Sequence, residues 1–282
     1  MELRRGMVSV VTGAGSGIGR ALAVELARRG SHLALCDVDA AGLAETVGSC
    51  EGRGVKVTSA SVDVADRAAV FAWADEVLAE HGSVDLVVNN AGVALTATVE
   101  EMSFEDARWL VDINFWGVVH GTQAFLPHLV DAGRGHVVNI SSVFGLIGIP
   151  TQSAYCAAKF AVRGFTDSLR VELEAGGSGV SCTTVHPGGI RTNIARNART
   201  HHSATAIAGA RDEMVRDFDR AARTSPERAA RRILEAVQRD RRRILIGADA
   251  RVFELVARLP AAVAQRIMVG GLRRTRRVSG PS

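Results

Sequence analysis

Cysteine, tyrosine and lysine are scarce in this sequence, and it has no long apolar run. The 282 residues contain four cysteines, a single tyrosine (Tyr155) and two lysines, Lys56 and Lys159. The cysteines are scattered without a C-x-x-C pair, which argues against a disulfide or zinc framework and favours reduced thiols. No apolar run approaches the ~18 residues of a membrane-spanning helix, and the first residues lack the apolar stretch of a signal peptide. We therefore expect a cytoplasmic protein without a metal site.

Positive charge comes almost entirely from arginine and is unevenly distributed. The formal net charge is +4, but residues 1–190 hold 13 Lys and Arg against 21 Asp and Glu, whereas residues 191–282 hold 21 against 9. An acidic body (−8) thus carries a basic C-terminal third (+12). Such asymmetry can indicate nucleic acid, anionic lipid or acidic ligands, although solvated arginine-rich helices are the simpler interpretation. Interleaved aromatics and a recognisable nucleic-acid-binding motif are absent, so we expect no nucleic-acid binding.

Short apolar or β-branched runs alternate with segments of helical periodicity. Strands are predicted at Met7–Thr12, His32–Asp37, Val55–Val62, Leu86–Asn89, His136–Ile140, Val180–Val185 and Arg243–Ile246. Helices are predicted at Ile18–Arg29, Ala40–Cys50, Arg67–His81, Phe104–Val130 and Ala154–Glu174. This alternation predicts βαβ units, and hence an α/β, doubly wound, Rossmann-like fold with a seven-stranded parallel sheet covered by helices on both faces.

The C-terminal part departs from this alternation. Residues 191–242 are polar and predicted to be helical without a strand, with a Ser-Pro-Glu helix start at Ser225. Residues 252–269 are amphipathic, and the arginine-rich tail 273–282 is predicted to be disordered. The sequence therefore predicts one domain over residues 1–250, followed by a basic amphipathic extension over residues 251–282 that is not an independent domain.

A glycine-rich turn follows the first predicted strand, with the sequence Thr12-Gly13-Ala14-Gly15-Ser16-Gly17-Ile18-Gly19. Glycines allow backbone N–H groups to approach a pyrophosphate, and the following helix N-terminus favours an anion. The spacing Gly13-x-x-x-Gly17-x-Gly19 differs from the usual G-x-G-x-x-G dinucleotide fingerprint. Taken alone, it is also compatible with a simple strand–helix turn.

Acidic and amide side chains follow the next strands. Asp37 ends the second strand, 24 positions after Gly13. A carboxylate there can accept hydrogen bonds from the adenosine ribose and repels a 2′-phosphate, while Ser16 offers no cation to one. These residues predict NAD, with NADP less favoured. Asp63-Val64 and Asn89-Asn90-Ala91-Gly92 end the third and fourth strands, where open α/β sheets bind ligands, although alone either is equally typical of a turn.

Tyr155 and Lys159 are spaced four residues apart, so they share one face of a predicted helix. An ammonium beside a phenol lowers the phenol's pKa from its usual ~10, which gives a general acid/base near neutral pH. Ser142 lies 13 residues upstream and could hydrogen-bond the same substrate oxygen. Asn114 falls within a predicted helix, where Asn is a poor helix former. Its amide either binds a water next to Lys159 or bonds back to its own helix.

Together these motifs resemble the short-chain dehydrogenase/reductase family in its short, single-domain form. The resemblance covers about residues 5–247 and preserves the family's order and spacing of motifs. It implies a catalytic tetrad of Asn114, Ser142, Tyr155 and Lys159. Two features depart from the family: a second glycine, Gly189, follows Pro187-Gly188, and the chain continues beyond residue 247.

The resemblance also implies a nicotinamide cofactor and its binding residues. These are Gly13, Ser16, Gly17, Ile18, Gly19, Asp37, Asp63, Val64, Asn90, Ala91, Gly92, Tyr155, Lys159, Pro187, Gly188, Ile190 and Thr192. The implied activity is the NAD-dependent interconversion of a secondary alcohol and its ketone, in a homodimer or homotetramer. The largely apolar segment 143–153 favours a hydrophobic substrate, and residues 191–224 are expected to form a flap over the site.

Two other functions are compatible with parts of this pattern. A non-catalytic dinucleotide sensor or scaffold could use the same fold, but it would not need the complete tetrad. A nucleotide-sugar epimerase shares the Tyr/Lys pair, but those relatives are longer and have a different glycine spacing. We expect the basic extension to stay outside the chemistry and to contact a partner subunit or its flap. Contact with an anionic membrane surface is the less favoured alternative.

Overall fold

A seven-stranded parallel sheet forms the centre of the computed structural model, which describes residues 1–278 apart from the side chains at 206, 208 and 271–278. Its strands are β1 (Val8–Thr12), β2 (His32–Asp37), β3 (Val57–Ser61), β4 (Leu86–Asn89), β6 (Gly135–Ile140), β7 (Val180–Pro187) and β9 (Arg243–Ile246). They lie in the order β3-β2-β1-β4-β6-β7-β9 and pair in parallel throughout. The predicted doubly wound sheet is therefore confirmed.

Helices cover both faces of this sheet. They are α1 (Gly17–Arg28), α2 (Ala40–Cys50), α3 (Arg67–His81), α4 (Phe104–Val111), α5 (Gly117–Asp131), α6 (Ser153–Ala175), α7 (Thr205–Ala208), α8 (Arg211–Ala221), α9 (Pro226–Gln238), α10 (Ala248–Ala257) and α11 (Ala261–Val278). One apolar core joins the sheet to α1, α2 and α9, and the other joins it to α3, α5 and α6. Because most strands are buried on both faces, their sequences are continuous apolar runs rather than alternating ones.

The order of the strands creates a crevice at one edge of the sheet. The chain builds outward from β1 through β2 to β3, and then crosses back to place β4 on the other side of β1. Ligands of open α/β sheets bind outside the carboxyl ends of the strands at such a switch point. The glycine-rich turn after β1 and the Asn90–Gly92 segment after β4 meet there.

The segment predicted as a single long helix over 104–130 is helical throughout, but it contains a π-helical turn that was not predicted. This turn, Asp112–Trp116, separates α4 from α5. Two tertiary contacts accompany it: the Asn114 side chain bonds to a neighbouring loop, and Gly117 packs so closely that a Cβ there would lie 2.7 Å from Val64 Cγ2. The turn thus carries Asn114 into a buried position.

The C-terminal third also differs in part from prediction. A two-stranded parallel sheet pairs β5 (Leu95–Thr96) with β8 (Arg199–Thr200), so the region 191–242 does contain a short strand. Ser225 caps α9 as predicted, and its Oγ accepts the N–H of Arg228 at 3.3 Å. Pro260 lies in the break between α10 and α11. The predicted disorder of 273–282 is wrong as far as residue 278, where α11 ends, and residues 279–282 lie outside the described residues.

Candidate active site

One cavity of about 1050 Å³ opens at the carboxyl edge of the sheet. It is large enough for a dinucleotide together with a small substrate. Every residue predicted for the site lines this cavity except Gly19 and Asn114. Gly19 packs under the glycine-rich turn, where a Cβ would collide with the Gly13 carbonyl oxygen. Asn114 lies behind the cavity wall.

The glycine-rich turn is held against the segment that follows β4. Gly13 has a φ of 63°, and a Cβ there would lie 2.7 Å from Ala91 Cα. The Asn90 side-chain amide donates to the carbonyls of Thr12 and Gly13 at 2.9 and 3.0 Å. In return, Thr12 Oγ1 accepts the backbone N–H groups of Asn90 and Ala91. The Asn90 side chain therefore supports the turn, leaving its backbone to face the cavity.

Asp37 is fixed by two backbone N–H groups at the end of β2. Its Oδ2 accepts from Gly15 N at 2.7 Å, and its Oδ1 accepts from Asp39 N at 2.9 Å. Arg20 in α1 brings a cation near the turn, but its guanidinium is paired with Glu45 at 2.9 Å. The Asp37 carboxylate therefore places a negative charge at the cavity wall. The nearby cation of Arg20 is paired with a different carboxylate, that of Glu45.

Tyr155, Lys159 and Ser142 meet in the middle of the cavity. The buried Lys159 Nζ donates to the Ile140 carbonyl at 3.0 Å and lies 5.7 Å from the centre of the Tyr155 ring. The Ser142 hydroxyl acts on the Tyr155 phenol by lowering its pKa, and it accepts the N–H of Phe144 at 3.1 Å. Successive turns of α6 and the end of β6 therefore bring the predicted catalytic groups together.

Burial dominates the protonation of this pair. It raises the pKa of Tyr155 to about 12, against a smaller lowering by the Ser142 hydroxyl. It also lowers the pKa of Lys159 to about 8. The expectation that the neighbouring ammonium by itself brings the phenol's pKa below its usual value is therefore wrong for the chain alone, because desolvation is the largest influence on that pKa and raises it.

The Asn114 side chain does not bond back to its own helix, and the expected water next to Lys159 stays a prediction. The Asn114 Oδ1 accepts from Val93 N at 2.8 Å, and its Nδ2 donates to Val93 O at 2.9 Å. Both amide atoms are thus used across to the loop after β4. Gly92 lies between this amide and the lysine, since a Cβ on Gly92 would be 3.2 Å from Asn114 Oδ1 and 3.5 Å from Lys159 Nζ.

The segment after β7 is held by a residue that the sequence analysis missed. Asp249, at the start of α10, accepts the backbone N–H of Gly189 at 2.6 Å. A Cβ on Gly188 would collide with the Asp249 carboxylate, and one on Gly189 would lie 2.9 Å from the Ala221 carbonyl oxygen. Close packing against Ala221 therefore explains why position 189 is a glycine. No spacing rule pairs positions 60 residues apart, so the sequence offered no signal for Asp249.

The other half of the cavity is apolar. Phe144 stands between Tyr155 and Phe253 in two edge-to-face contacts, with ring centres 6.0 and 6.2 Å apart. Phe253 belongs to α10, so the C-terminal extension contributes to the wall. Further apolar lining residues are Val93, Trp109, Ile149, Met214 and Phe218.

The predicted flap is tied to the body beside this apolar half. The Arg199 guanidinium lies 3.6 Å from the centre of the Trp109 ring and donates to Asp106 at 2.8 Å. Next to it, Glu101 approaches His201 Nδ1 at 3.6 Å and His202 Nε2 at 3.3 Å. These contacts add to the β5–β8 pairing and fix one end of the flap.

Comparison with known proteins decides the family. The sequence profile of short chain dehydrogenases matches residues 7–203. The chain belongs to the short-chain dehydrogenase/reductase family. A Mycobacterium tuberculosis protein named as the oxidoreductase SadH is 47% identical over 275 residues, which cover 96% of this chain and 97% of the relative.

Solved structures of family members agree. A short-chain dehydrogenase/reductase from Burkholderia phymatum in complex with NAD has a TM-score of 0.85 at 33% identity, and the match covers 91% of this chain and 94% of that one. A Mycobacterium paratuberculosis short chain dehydrogenase bound to NAD has a TM-score of 0.73 at 26% identity, covering 87% and 97%. This family member is accordingly an NAD(P)-dependent oxidoreductase.

The cavity of this short-chain dehydrogenase/reductase fits a nicotinamide dinucleotide. Gly17 has a φ of 54° at the start of α1, and a Cβ there would lie 3.0 Å from Thr192 Cγ2. The turn therefore exposes backbone N–H groups at a helix N-terminus without side chains in the way, which is what a pyrophosphate needs. Asp37 stands where ribose hydroxyls would find an acceptor.

Proposed function

We propose that the protein oxidises a hydrophobic secondary alcohol to its ketone, with NAD as hydride acceptor and Tyr155 as general base. The observation that carries this proposal is the meeting of Tyr155, Ser142 and Lys159 between the glycine-rich half and the apolar half of one cavity. A substrate in the apolar half has its hydroxyl within reach of both Tyr155 and Ser142. Reduction of the ketone is the same path reversed.

In the proposed reaction, side chains of this protein transfer the proton. The Tyr155 phenolate takes the proton of the substrate hydroxyl, while the Ser142 hydroxyl hydrogen-bonds the same oxygen and orients it. When bound, the oxidised cofactor accepts the hydride from the substrate carbon and adds a positive charge to the site. Lys159 also holds the ribose of the cofactor through its ammonium.

Before Tyr155 can act as a base, a nearby positive charge has to lower its pKa against the effect of burial. Burial alone raises the pKa of Tyr155 to about 12, so the phenol is protonated at neutral pH in the chain by itself. A cation in the cavity stabilises the phenolate and lowers this pKa. We therefore propose that Tyr155 becomes an effective base only in the presence of the positively charged cofactor, with the Lys159 ammonium as the second contributor.

Asn114 belongs to the proposed site as a positioning residue. Its side-chain amide hydrogen-bonds both the N–H and the carbonyl of Val93. The preceding residue, Gly92, is adjacent to Lys159. Holding this segment keeps the loop after β4 against the lysine. To the predicted water next to Lys159 we therefore add a second proposed role for Asn114, which is to fix the backbone around Lys159.

Preference for NAD over NADP rests on Asp37. Its carboxylate would repel a 2′-phosphate, and the two N–H groups that hold it prevent it from turning away. Arg20 does not line the cavity, and its guanidinium is engaged by Glu45 and by the Gly42 carbonyl. The remaining cofactor contacts are proposed as predicted, along the glycine-rich turn, Asp63-Val64, Asn90–Gly92 and Pro187–Thr192.

We further propose that residues 1–250 carry the chemistry in a homodimer or homotetramer in the cytoplasm. Exposed aromatic side chains on neighbouring helical segments, Phe104, Trp116 and Phe160, support self-association. The four cysteines are buried and free, which is consistent with a reducing compartment. Among the described side chains of residues 251–282, that of Phe253 lines the cavity, and we propose that this extension stays outside the proton transfer.

The test is turnover by the purified protein over a panel of secondary alcohols of increasing apolar size, with NAD or NADP in parallel. We expect NADH formation with a higher kcat/KM for the more apolar alcohols, and a lower kcat/KM with NADP. Tight NAD binding with no turnover of any alcohol or ketone in the panel would instead indicate a dinucleotide sensor.

A further inference from the structure

The two C-terminal helices present an unpartnered apolar stripe. We define the C-terminal stripe as five exposed aliphatic residues: Val252 and Leu255, three apart on α10, Leu259 in the break between the helices, and Val263 and Ile267, four apart on α11. The side chains of Val252 and Leu255 are 60% and 65% exposed, and the other three are between 41% and 43% exposed. Five aliphatic side chains so close in sequence are more than the scattered exposed apolar residues of an ordinary surface.

These helices touch the rest of the molecule with few of their described side chains. Ala250 and Ala264 are buried, and Phe253 packs on Phe144. The stripe residues of α10, Val252 and Leu255, therefore face solvent, whereas Phe253 of the same helix faces the cavity. The stripe contributes little to the hydrophobic core and is free to meet something else.

The charge around the stripe is predominantly positive, although Arg258 pairs with Glu254 at 2.9 Å. Residues 251–278 contain seven arginines and one glutamate, a net charge of +6. Arg251, Arg258 and Arg266 are exposed next to stripe residues, and four more arginines follow within 273–277. A helix with an aliphatic face and a basic polar face is the pattern that lies in the interface of an anionic bilayer.

We propose that the C-terminal stripe and its arginines bind the surface of an anionic lipid membrane. Pairing of the stripe with the same stripe of a second copy would bring two +6 segments together, which is unfavourable. An anionic bilayer instead offers both an apolar layer for the stripe and negative headgroups for the arginines. Among the described helices none is long and apolar enough to cross a membrane, so the contact is with the surface. This binding does not depend on the proposed reaction.

Cosedimentation of the full chain with lipid vesicles tests the proposal. The vesicles are pure phosphatidylcholine, or phosphatidylcholine with about a third phosphatidylglycerol, each at low and high salt. We expect binding to the anionic vesicles, weakened by salt, and little binding to the neutral ones.

Two double variants separate the apolar from the electrostatic part. Arg251→Gln with Arg266→Gln is expected to weaken binding about 25-fold, because each cation near an anionic surface contributes about fivefold. Leu255→Glu with Ile267→Glu is expected to abolish it. Arg53→Gln and Val99→Glu are the matched controls, since both residues are exposed and lie outside the C-terminal helices. Light scattering on every variant reports the assembly state.

Three results would overturn the proposal. The first is that the full chain sediments with neither vesicle. The second is equal binding to neutral and anionic vesicles without dependence on salt. The third is a loss of molecular mass in the Leu255→Glu, Ile267→Glu variant in the absence of lipid, which would show that a second copy covers the stripe.

Discussion

At the scale of single residues, the proposed chemistry depends on two buried groups that burial pushes toward their neutral forms. Burial raises the pKa of Tyr155 to about 12 and lowers that of Lys159 to about 8. The site is therefore built so that its ionisation responds strongly to charge entering the cavity, since a desolvated group feels a nearby charge more than a solvated one does. In the proposed mechanism the phenol therefore stays protonated until such a charge enters the cavity.

Removal of the Tyr155 hydroxyl is the direct test of this arrangement. Tyr155→Phe is expected to lower kcat by about 10²–10⁴-fold, the usual contribution of general acid–base catalysis, while the Kd for NAD stays nearly unchanged. Stopped-flow or plate assays of NADH formation, with NAD binding measured by calorimetry, check both parts. Lys159→Arg, which retains the charge in a larger planar group, is expected to lose most activity as well. Activity of Tyr155→Phe within tenfold of the unmodified enzyme would exclude Tyr155 as the base.

At the scale of helices and strands, α10 connects the C-terminal extension to the apolar half of the cavity. Its Asp249 holds the Gly188–Gly189 segment, and its Phe253 packs on Phe144. One helix thus shapes both the predicted nicotinamide wall and the predicted substrate wall.

The packing of Phe253 predicts a role in choosing the substrate. Phe253→Ala removes an aromatic contact, so kcat/KM for the largest apolar alcohol should fall about tenfold relative to the smallest, while the Kd for NAD is unchanged. Val252→Ala is the matched control, because Val252 is the adjacent residue on α10 and is exposed. Equal losses for large and small alcohols would indicate a general structural defect instead.

The same scale shows what the sequence could predict. All seven strands of the sheet were predictable, most of them because burial on both faces makes a short apolar run between turn residues, whereas the edge strands β3 and β9 are only partly buried. The π-helical turn at Asn114 was not, because it accompanies contacts to Val93 and Val64 that lie far away in sequence. β5 and β8 have two residues each, too few to show a period. Tyr155, Lys159 and Ser142 were predictable from spacing, whereas Asp249 and Phe253 reach the cavity only through the tertiary fold.

At the scale of the whole molecule, buried histidines couple stability to pH. His136 and His186 are fully buried, and burial lowers their pKa to about 3 and about 4. His136 Nε2 bonds to Thr183 Oγ1 at 2.8 Å, and His186 Nδ1 donates to the Ser142 carbonyl at 2.8 Å. Both rings are therefore neutral in the folded protein at pH values where the unfolded chain, with a His pKa of about 6.5, already binds the protons.

The free energy of unfolding should consequently fall as the pH is lowered below about 6.5. Between about pH 6 and 4 the unfolded state binds one more proton per buried histidine, so each costs about 1.4 kcal/mol per pH unit. Urea unfolding at several pH values measures this slope, and His136→Gln is expected to reduce it by about half. His202→Gln, at an exposed position, is the control and should leave it unchanged. A stability that does not vary between pH 6.5 and 5 would contradict the prediction.

The chain's one tyrosine is also its proposed catalytic base, and this makes the site directly visible to spectroscopy. Ionisation of a phenol changes its ultraviolet absorption, and in this protein any such change can come only from Tyr155. A pH titration of the unlabelled enzyme, with and without NAD, therefore reads the protonation of the base itself. Most enzymes would need isotopic labelling or removal of other tyrosines for the same measurement, whereas here the amino-acid composition supplies a built-in optical reporter.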